Sequence, residues 1–395
     1  VRQLARSGRA GTARPGVLVA LVSTLAIVGA ATLAIGAVMV RVARMVTIPA
    51  RRRDYDIDVL DIDTDAGEIT LSRTADTVVP GRYGLLTAGE AAYARIGGVR
   101  RSTGSSVTRT LERVERGRIH AGDRAHWWGY YYRSPSELGH PYDDVRIEGE
   151  LGEAPAWLIR QPAGADVWAI VVHGRGATRE EGLRAVQPLL ESGCSVLLVS
   201  CRNDGEAPAS ADGRYGLGES EWHDVEAAIE YAVAQGATGV VLMGFSMGGA
   251  IVLQTVMRAA NRDAVRAVVL DSPVVDWVDT LIFQAQLMRL PAPVTRGAMR
   301  LIGSSWARPL TGQSAVVDLP VLNFVARADE LSLPVLIMHS DDDGYVPATA
   351  SHLLAALRPD IVTLMTFTTA RHTRLWNYDA QRWSSGIRDW LSQQL

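Results

Sequence analysis

One serine in this 395-residue chain sits where its type and spacing could do chemistry. Ser246 lies in the run "VVLMGFSMGGA", Val240 to Ala250, where an apolar stretch meets a helical one and glycines stand two residues to either side. A tight strand-to-helix turn strains its middle residue and crowds the neighbours. Gly244 and Gly248 remove side chains that would clash, and the hydroxyl is left exposed at the carboxyl edge of a sheet. The N–H of Met247 then points where an oxyanion would form, near the positive end of the new helix. A serine hydroxyl is a weak nucleophile unless a base takes its proton. Downstream, "IMHSDDDGYVPATA" supplies Asp341, Asp342 and Asp343 after an apolar run, and "TFTTARHTRLWN" supplies His372 in a loop after the last one. Asp271, closing the apolar run of "VVLDSP", is a further candidate acid. Serine, acid and histidine in that order can transfer an acyl group to water.

Those residues need a scaffold. From about Asp144 the chain alternates strands with helical segments. "DDVRIEGEL" and "APAWLIRQP" read as an antiparallel opening pair, followed by "VWAIVVHG", "SVLLVSC", "GVVLMGF", "AVRAVVLD", "LPVLIMHS" and "IVTLMTF". Several are continuous apolar runs, the mark of parallel strands covered on both faces. Between them, segments such as "GESEWHDVEAAIEYAVAQG" carry apolar residues three and four apart with a glycine stop. The fold class is α/β, a doubly wound, mostly parallel sheet.

At this point the chain resembles the α/β-hydrolase superfamily, and is similar to its membrane-anchored, prolyl-oligopeptidase-like branch. The resemblance covers about Asp144 to Leu395 and rests on "VVHGRG", on the Ser246 turn, on Asp343 in "DGYVP" and on the late His372. It implies a triad of Ser246, Asp343 and His372, with oxyanion donors from the N–H of Met247 and of a residue in the 173–176 turn, Arg175. Two positions depart from the family pattern. His339 is followed by Ser340 where glycine is usual, and Cys201 precedes Arg202 where aspartate is usual. Of the other histidines, His173 belongs to the turn, His339 ends a strand, and His223 and His352 fall in helical stretches.

An insert of about residues 274–330 contains "WVDTLIFQAQLMRLPAPV" and "TRGAMRLIGSSWARPL". Both read as amphipathic helices broken by prolines, as a lid over the site would be or as helices packed on the sheet are. An apolar lid points to small-molecule or lipid-like acyl substrates.

Upstream, residues 17–40 carry no charge. As a helix at about 1.5 Å per residue they cover a hydrocarbon core of roughly 30 Å. Arginines flank them: Arg2, Arg6, Arg9 and Arg14 in a basic tail of residues 1–16, then Arg41, Arg44 and Arg51 to Arg53. The run is longer than a signal-peptide core, so the expectation is a single-pass membrane anchor. The arginine counts on its two sides are nearly equal and give no orientation. Ala26, Ala30 and Ala34 share one helical face, and the oligomeric state is open. Residues 54–140 alternate as short strands do, in "YDIDVLDID", "GEITLSRT", "GRYGLLTAG" and "SVTRTLERVERGRI", and form a small β-rich region. It holds the aromatic cluster "HWWGYYY", His126 to Tyr132, which could line a ligand groove or sit at a membrane interface and which more often is core or an inter-domain contact.

Composition excludes several classes. The net charge of −3 gives no reason to expect nucleic acid as a partner. The chain has no lysine, the usage of a GC-rich bacterial gene, so Schiff-base and Ser–Lys chemistry are ruled out. Cys194 and Cys201 flank one strand and stand too far apart to bond. No metal-binding spacing and no phosphate loop occur, so no cofactor is expected. The reading is a membrane-anchored serine hydrolase that cleaves an ester or related acyl bond through an acyl-enzyme. The alternatives are a peptidase on the same fold and a catalytically silent, membrane-tethered scaffold.

Overall fold

The computed structural model describes residues 15–49 and 53–395. The tail with Arg2, Arg6, Arg9 and Arg14, the pair Arg51 and Arg52, and the side chain of Ala26 lie outside the described residues. The apolar run forms one helix, Pro15–Thr47, which continues through Arg41 and Arg44. Arginine is a good helix former, and Arg44 in the last turn complements the negative end of the helix dipole. Pro49 follows closely, and the residue before a proline is biased out of helix, which ends the element here.

Six strands follow: β1 (Ile57–Asp63), β2 (Glu68–Ser72), β3 (Tyr83–Thr87), β4 (Tyr93–Ser102), β5 (Ser106–Arg116) and β6 (Arg124–Trp128). They close into a barrel in the order β1-β2-β5-β4-β3-β6. Alternate residues such as Ile57, Val59, Ile69 and Leu71 fill the interior. β4 and β6 were not anticipated. β4 carries a glycine pair and pairs with β5 through several register shifts, and such bulges break a strict alternation. The aromatic cluster is split. Trp127 packs against Tyr83 in the barrel core, ring centroids 4.6 Å apart, while Trp128 stacks on Tyr130 outside it.

The barrel core also holds a fully buried cation. Arg109 donates to the carbonyls of Gly97, Thr77, Val79 and Gly81 at 2.8–2.9 Å and lies over the Tyr83 and Trp127 rings. Burial lowers its pKa to about 10, so it remains charged at neutral pH. Four carbonyls and two ring faces take the place of a carboxylate.

The remaining strands build one sheet: β7 (Asp143–Gly149), β8 (Gly152–Ile159), β9 (Val167–Val172), β10 (Ser195–Val199), β11 (Gly239–Phe245), β12 (Val265–Asp271), β13 (Val335–Ser340) and β14 (Val362–Phe367). Their order is β14-β13-β12-β11-β9-β10-β8-β7, with β8 antiparallel to both neighbours and β9 to β14 parallel. Helices cover both faces. In β9, Trp168, Ile170 and Val172 join one core with the Trp222–Ala234 and Met247–Arg258 helices, while Ala169 and Val171 join a second with Leu183–Glu191 and Ala380–Leu391. Both sets are buried, which is why these strands read as unbroken apolar runs. The expected α/β-hydrolase class, with a helical insert, an apolar N-terminal helix and a small β-rich region, is the one observed. The insert between β12 and β13 contains the helices Trp277–Leu287, Ala292–Ile302 and Arg308–Thr311.

Candidate active site

β11 lies between β9 and β12 in the middle of the sheet, with Gly244 opposite Val172 and Phe245 opposite Asp271. Ser246 is the next residue and begins the turn into the Met247–Arg258 helix. Its backbone is at φ 52°, ψ −116°, a region that costs a non-glycine residue strain. The turn is held by Ser246 N donating to Asp271 O at 3.0 Å and Val274 N donating to Ser246 O at 3.0 Å. Gly248 is obligatory by contact: a Cβ there would stand 2.4 Å from Val172 O.

Ser246 Oγ lies 2.9 Å from His372 Nε2, and His372 Nδ1 lies 2.7 Å from Asp343 Oδ2. Asp343 is buried at the end of β13, and its Oδ1 accepts from the N–H groups of Tyr345 and Val346 at 2.8 and 2.9 Å. Burial opposes its charge, but His372 and His339 beside it outweigh that effect and hold the carboxyl well below the usual range. The neighbouring acids are engaged elsewhere. Asp341 pairs with His352, Asp342 accepts from Ser340 Oγ and Arg371 N, and Asp271 accepts from Ser272 Oγ and Trp383 Nε1. Sequence order left four aspartates open; the geometry brings only Asp343 to His372 among the described residues.

The turn after β9 faces the same serine. His173 is buried and accepts the Cys201 N–H at Nε2, 3.1 Å away, a structural bond. Gly174 N donates to Glu181 Oε2 at 2.7 Å, and Gly176 N donates to the Tyr215 hydroxyl at 2.9 Å. Arg175, between them, has its amide free of any protein partner among the described residues. Met247 N opens a helix, where the first amides lack intrahelical acceptors.

Three supports were missed in the sequence. His339 is a second histidine on Asp343, Nε2 to Oδ2 3.3 Å, also bonded to Ser351 Oγ and Val346 O. Glu181 and Tyr215 fix the 173–176 turn. Tyr215 itself donates to Asp204, which burial pushes up to about 6 against the pull of His173 and the tyrosine. His339 stands only four residues before Asp343 and Glu181 seven after Gly174, but they meet across irregular turns that no regular periodicity predicts, and Tyr215 reaches Gly176 from 39 residues away.

Two cavities meet at the Ser246–His372 pair. One, of about 210 Å³, is mostly apolar and reaches Ser246; Val274, Trp277, Leu281, Ala285, Met299 and Ile302 line it. The other, of about 470 Å³, is more polar, about half so, and reaches His372. The hydrolase-fold side of this cleft offers Arg371 and Arg374, and the barrel side offers Asp76, Trp128 and Tyr130. Arg374 and Asp76 pair across it at 2.8 Å. Tyr345 and Arg175 border both cavities.

Residues 169–383 match a family described as the alpha/beta hydrolase family, and residues 58–128 match one described as a domain of unknown function (DUF8805). No curated protein matches the chain in sequence. Among solved structures, the esterase Pf2001 of Pyrococcus furiosus is similar over 67% of this chain and 95% of its own, at 19% identity and a TM-score of 0.52. The esterase RhEst1 of Rhodococcus sp. ECU1013 is similar over 64% and 99%, at 19% identity and a TM-score of 0.45. The first of these likenesses is one of fold.

Proposed function

The chain belongs to the alpha/beta hydrolase family, and from that premise we propose that it is a membrane-anchored serine hydrolase of carboxylic esters, with Ser246, His372 and Asp343 as its catalytic triad. The observation that carries this reading is the unbroken chain Ser246 Oγ–His372 Nε2 at 2.9 Å and His372 Nδ1–Asp343 Oδ2 at 2.7 Å.

His372 takes the Ser246 proton as the hydroxyl attacks the ester carbonyl carbon. Asp343 holds the imidazole in the tautomer that leaves Nε2 free and stabilises its cation. Charge that develops on the carbonyl oxygen goes to the N–H groups of Met247 and Arg175, each such donor contributing roughly 3 kcal/mol. The tetrahedral species collapses, the C–O bond to the alcohol breaks, and His372 returns the proton to the departing oxygen. Water, deprotonated by the same histidine, then cleaves the acyl-enzyme. A leaving group must face the histidine that protonates it. That assigns the alcohol to the polar cleft and the acyl part to the apolar cavity.

The anchoring half of the proposal rests on the N-terminal helix. Gly29–Thr47 is apolar enough to cross a membrane, and its first half is exposed, with Leu33 76% exposed. A core helix would be covered on every face.

The test is hydrolysis of p-nitrophenyl acetate by the full chain and by Ser246→Ala, with labelling by a fluorophosphonate probe. Turnover and labelling vanish in the variant while its circular dichroism is retained. Undiminished turnover removes Ser246 from the reaction.

A further inference from the structure

The apolar cavity has a third wall that belongs neither to the sheet nor to the insert. Val42, Met45 and Val46, from the last turns of the Pro15–Thr47 helix, line it together with Ser246. We propose that this helix is a specificity wall of the active site as well as an anchor, and that the substrate is an ester whose acyl chain lies against it. The inference rests on the hydrolase reading above and deepens it.

The docking is too specific for a tether. Ala43 is fully buried. The Met39 thioether sits on the bare backbone of Gly297, where a Cβ would come within 2.4 Å of its sulfur. The final carbonyls of a helix have no intrahelical donors, and here the catalytic domain supplies donors to two of them and to the Ile48 carbonyl just beyond. Arg175 Nη2 donates to Met45 O and Ile48 O, both at 2.7 Å, and Tyr215 N donates to Thr47 O at 2.8 Å. Arg44 Nε in turn donates to Leu310 O of the insert at 2.8 Å. The guanidinium that grips the helix end and the amide proposed to hold the oxyanion belong to one residue, Arg175. The position of the helix and the shape of that turn are therefore set together.

The cavity's size and lining define its occupant. A volume of about 210 Å³ is room for several methylene groups. Its mostly apolar lining offers few partners to a peptide or a sugar. The fitting ligand is an apolar acyl chain of medium length. Toward its N-terminal end the same helix stays apolar and exposed at Ile35 and Val38, so apolar side chains of one helix run from the exposed span to Val42 at the cavity.

The test is a chain-length profile of kcat/KM for p-nitrophenyl butyrate, octanoate and palmitate, using the full chain in detergent micelles. Val42→Trp and Met45→Trp fill the cavity and lower the octanoate-to-butyrate ratio by about tenfold or more, the penalty of losing even one or two methylene sites in an apolar pocket. Met45→Ala enlarges it and moves the optimum to longer chains, which keeps the test alive where a tryptophan variant does not fold. Leu33→Trp, at an exposed position far from the cavity, leaves the profile unchanged. Ester turnover by the unmodified chain with the same profile in all variants overturns the inference alone. Absence of any turnover or Ser246 labelling in the unmodified chain overturns the hydrolase reading, and the inference with it.

Discussion

His339 Nε2 lies 3.3 Å from Asp343 Oδ2, the same oxygen that His372 Nδ1 approaches to 2.7 Å. His339 is almost fully buried, and Val346 O, 3.1 Å from its Nε2, can only accept. The Nε2 proton therefore points at Val346 O and the carboxylate, while Nδ1 accepts from Ser351 Oγ at 2.8 Å. His339 acts on the reaction through Asp343 and is a positioning residue. His339→Ala should cost about 1.5–3 kcal/mol of stability, the range for a buried bond to a charged group. It should lower kcat for a short ester more than it raises KM, and His339→Gln should restore part of both. Urea unfolding and steady-state kinetics of the two variants check this; an unchanged kcat in both would remove His339 from the site.

Asp343 also sets an acid limit. Its carboxyl is held well below its ordinary value of 3.8 in the folded chain. The unfolded state therefore binds its proton more readily, and the carboxylate contributes stability above the ordinary value that is lost as pH falls through and below it. Thermal melts from pH 6 down to pH 3 should show the wild-type margin over Asp343→Asn shrinking as pH drops. A margin constant across that range would mean that the carboxylate's pairing adds nothing to folding.

Strain at the elbow can be measured directly. Ser246 holds φ 52°, ψ −116°, and residues kept in such regions store about 1–3 kcal/mol. Ser246→Ala keeps the Cβ and the strain, whereas Ser246→Gly removes both. Against the extra chain entropy of glycine, about 0.5–1 kcal/mol, the glycine variant should still exceed the alanine variant by about 1 kcal/mol. Both should be inactive. A glycine variant less stable than the alanine variant by about 0.5–1 kcal/mol in calorimetry, the entropy cost alone, would mean that the turn is not strained.

Much of this was legible in the sequence because it depends on local pattern. The parallel strands of the sheet are short apolar runs, and the elbow needs glycines at fixed offsets from Ser246. The last strands deliver Asp343 and His372 to the same edge because parallel strands all end there. What was hidden depends on contact between distant segments. β4 is masked by bulges, and β6 by an aromatic run whose members face opposite ways. The N-terminal helix read as an anchor because its composition is that of one. Its docking on Gly297 and Arg175 is set by two residues far along the chain, which no periodicity links to Met39 or Met45.

Tyr215 ties the turn that carries Arg175 to the body of the fold. Its hydroxyl accepts the Gly176 N–H at 2.9 Å and donates to the buried Asp204. Tyr215→Phe keeps the ring, its packing under the Arg175 guanidinium and the backbone bond to Thr47 O. It removes only the oxygen. The buried Asp204 then loses a partner, at about 1–3 kcal/mol, and, already pushed up to about 6, titrates higher, while the exposed Gly176 N–H turns to solvent. The Arg175 amide is no longer held by its neighbour. Deleting an oxyanion donor outright costs about 10²–10³ in kcat; a loosened donor should cost less, roughly tenfold. KM for a short ester should hardly move, because the acyl cavity lies on the other side of the serine. A rise in KM at constant kcat would assign Tyr215 to substrate binding and leave the 173–176 turn without its proposed part in catalysis.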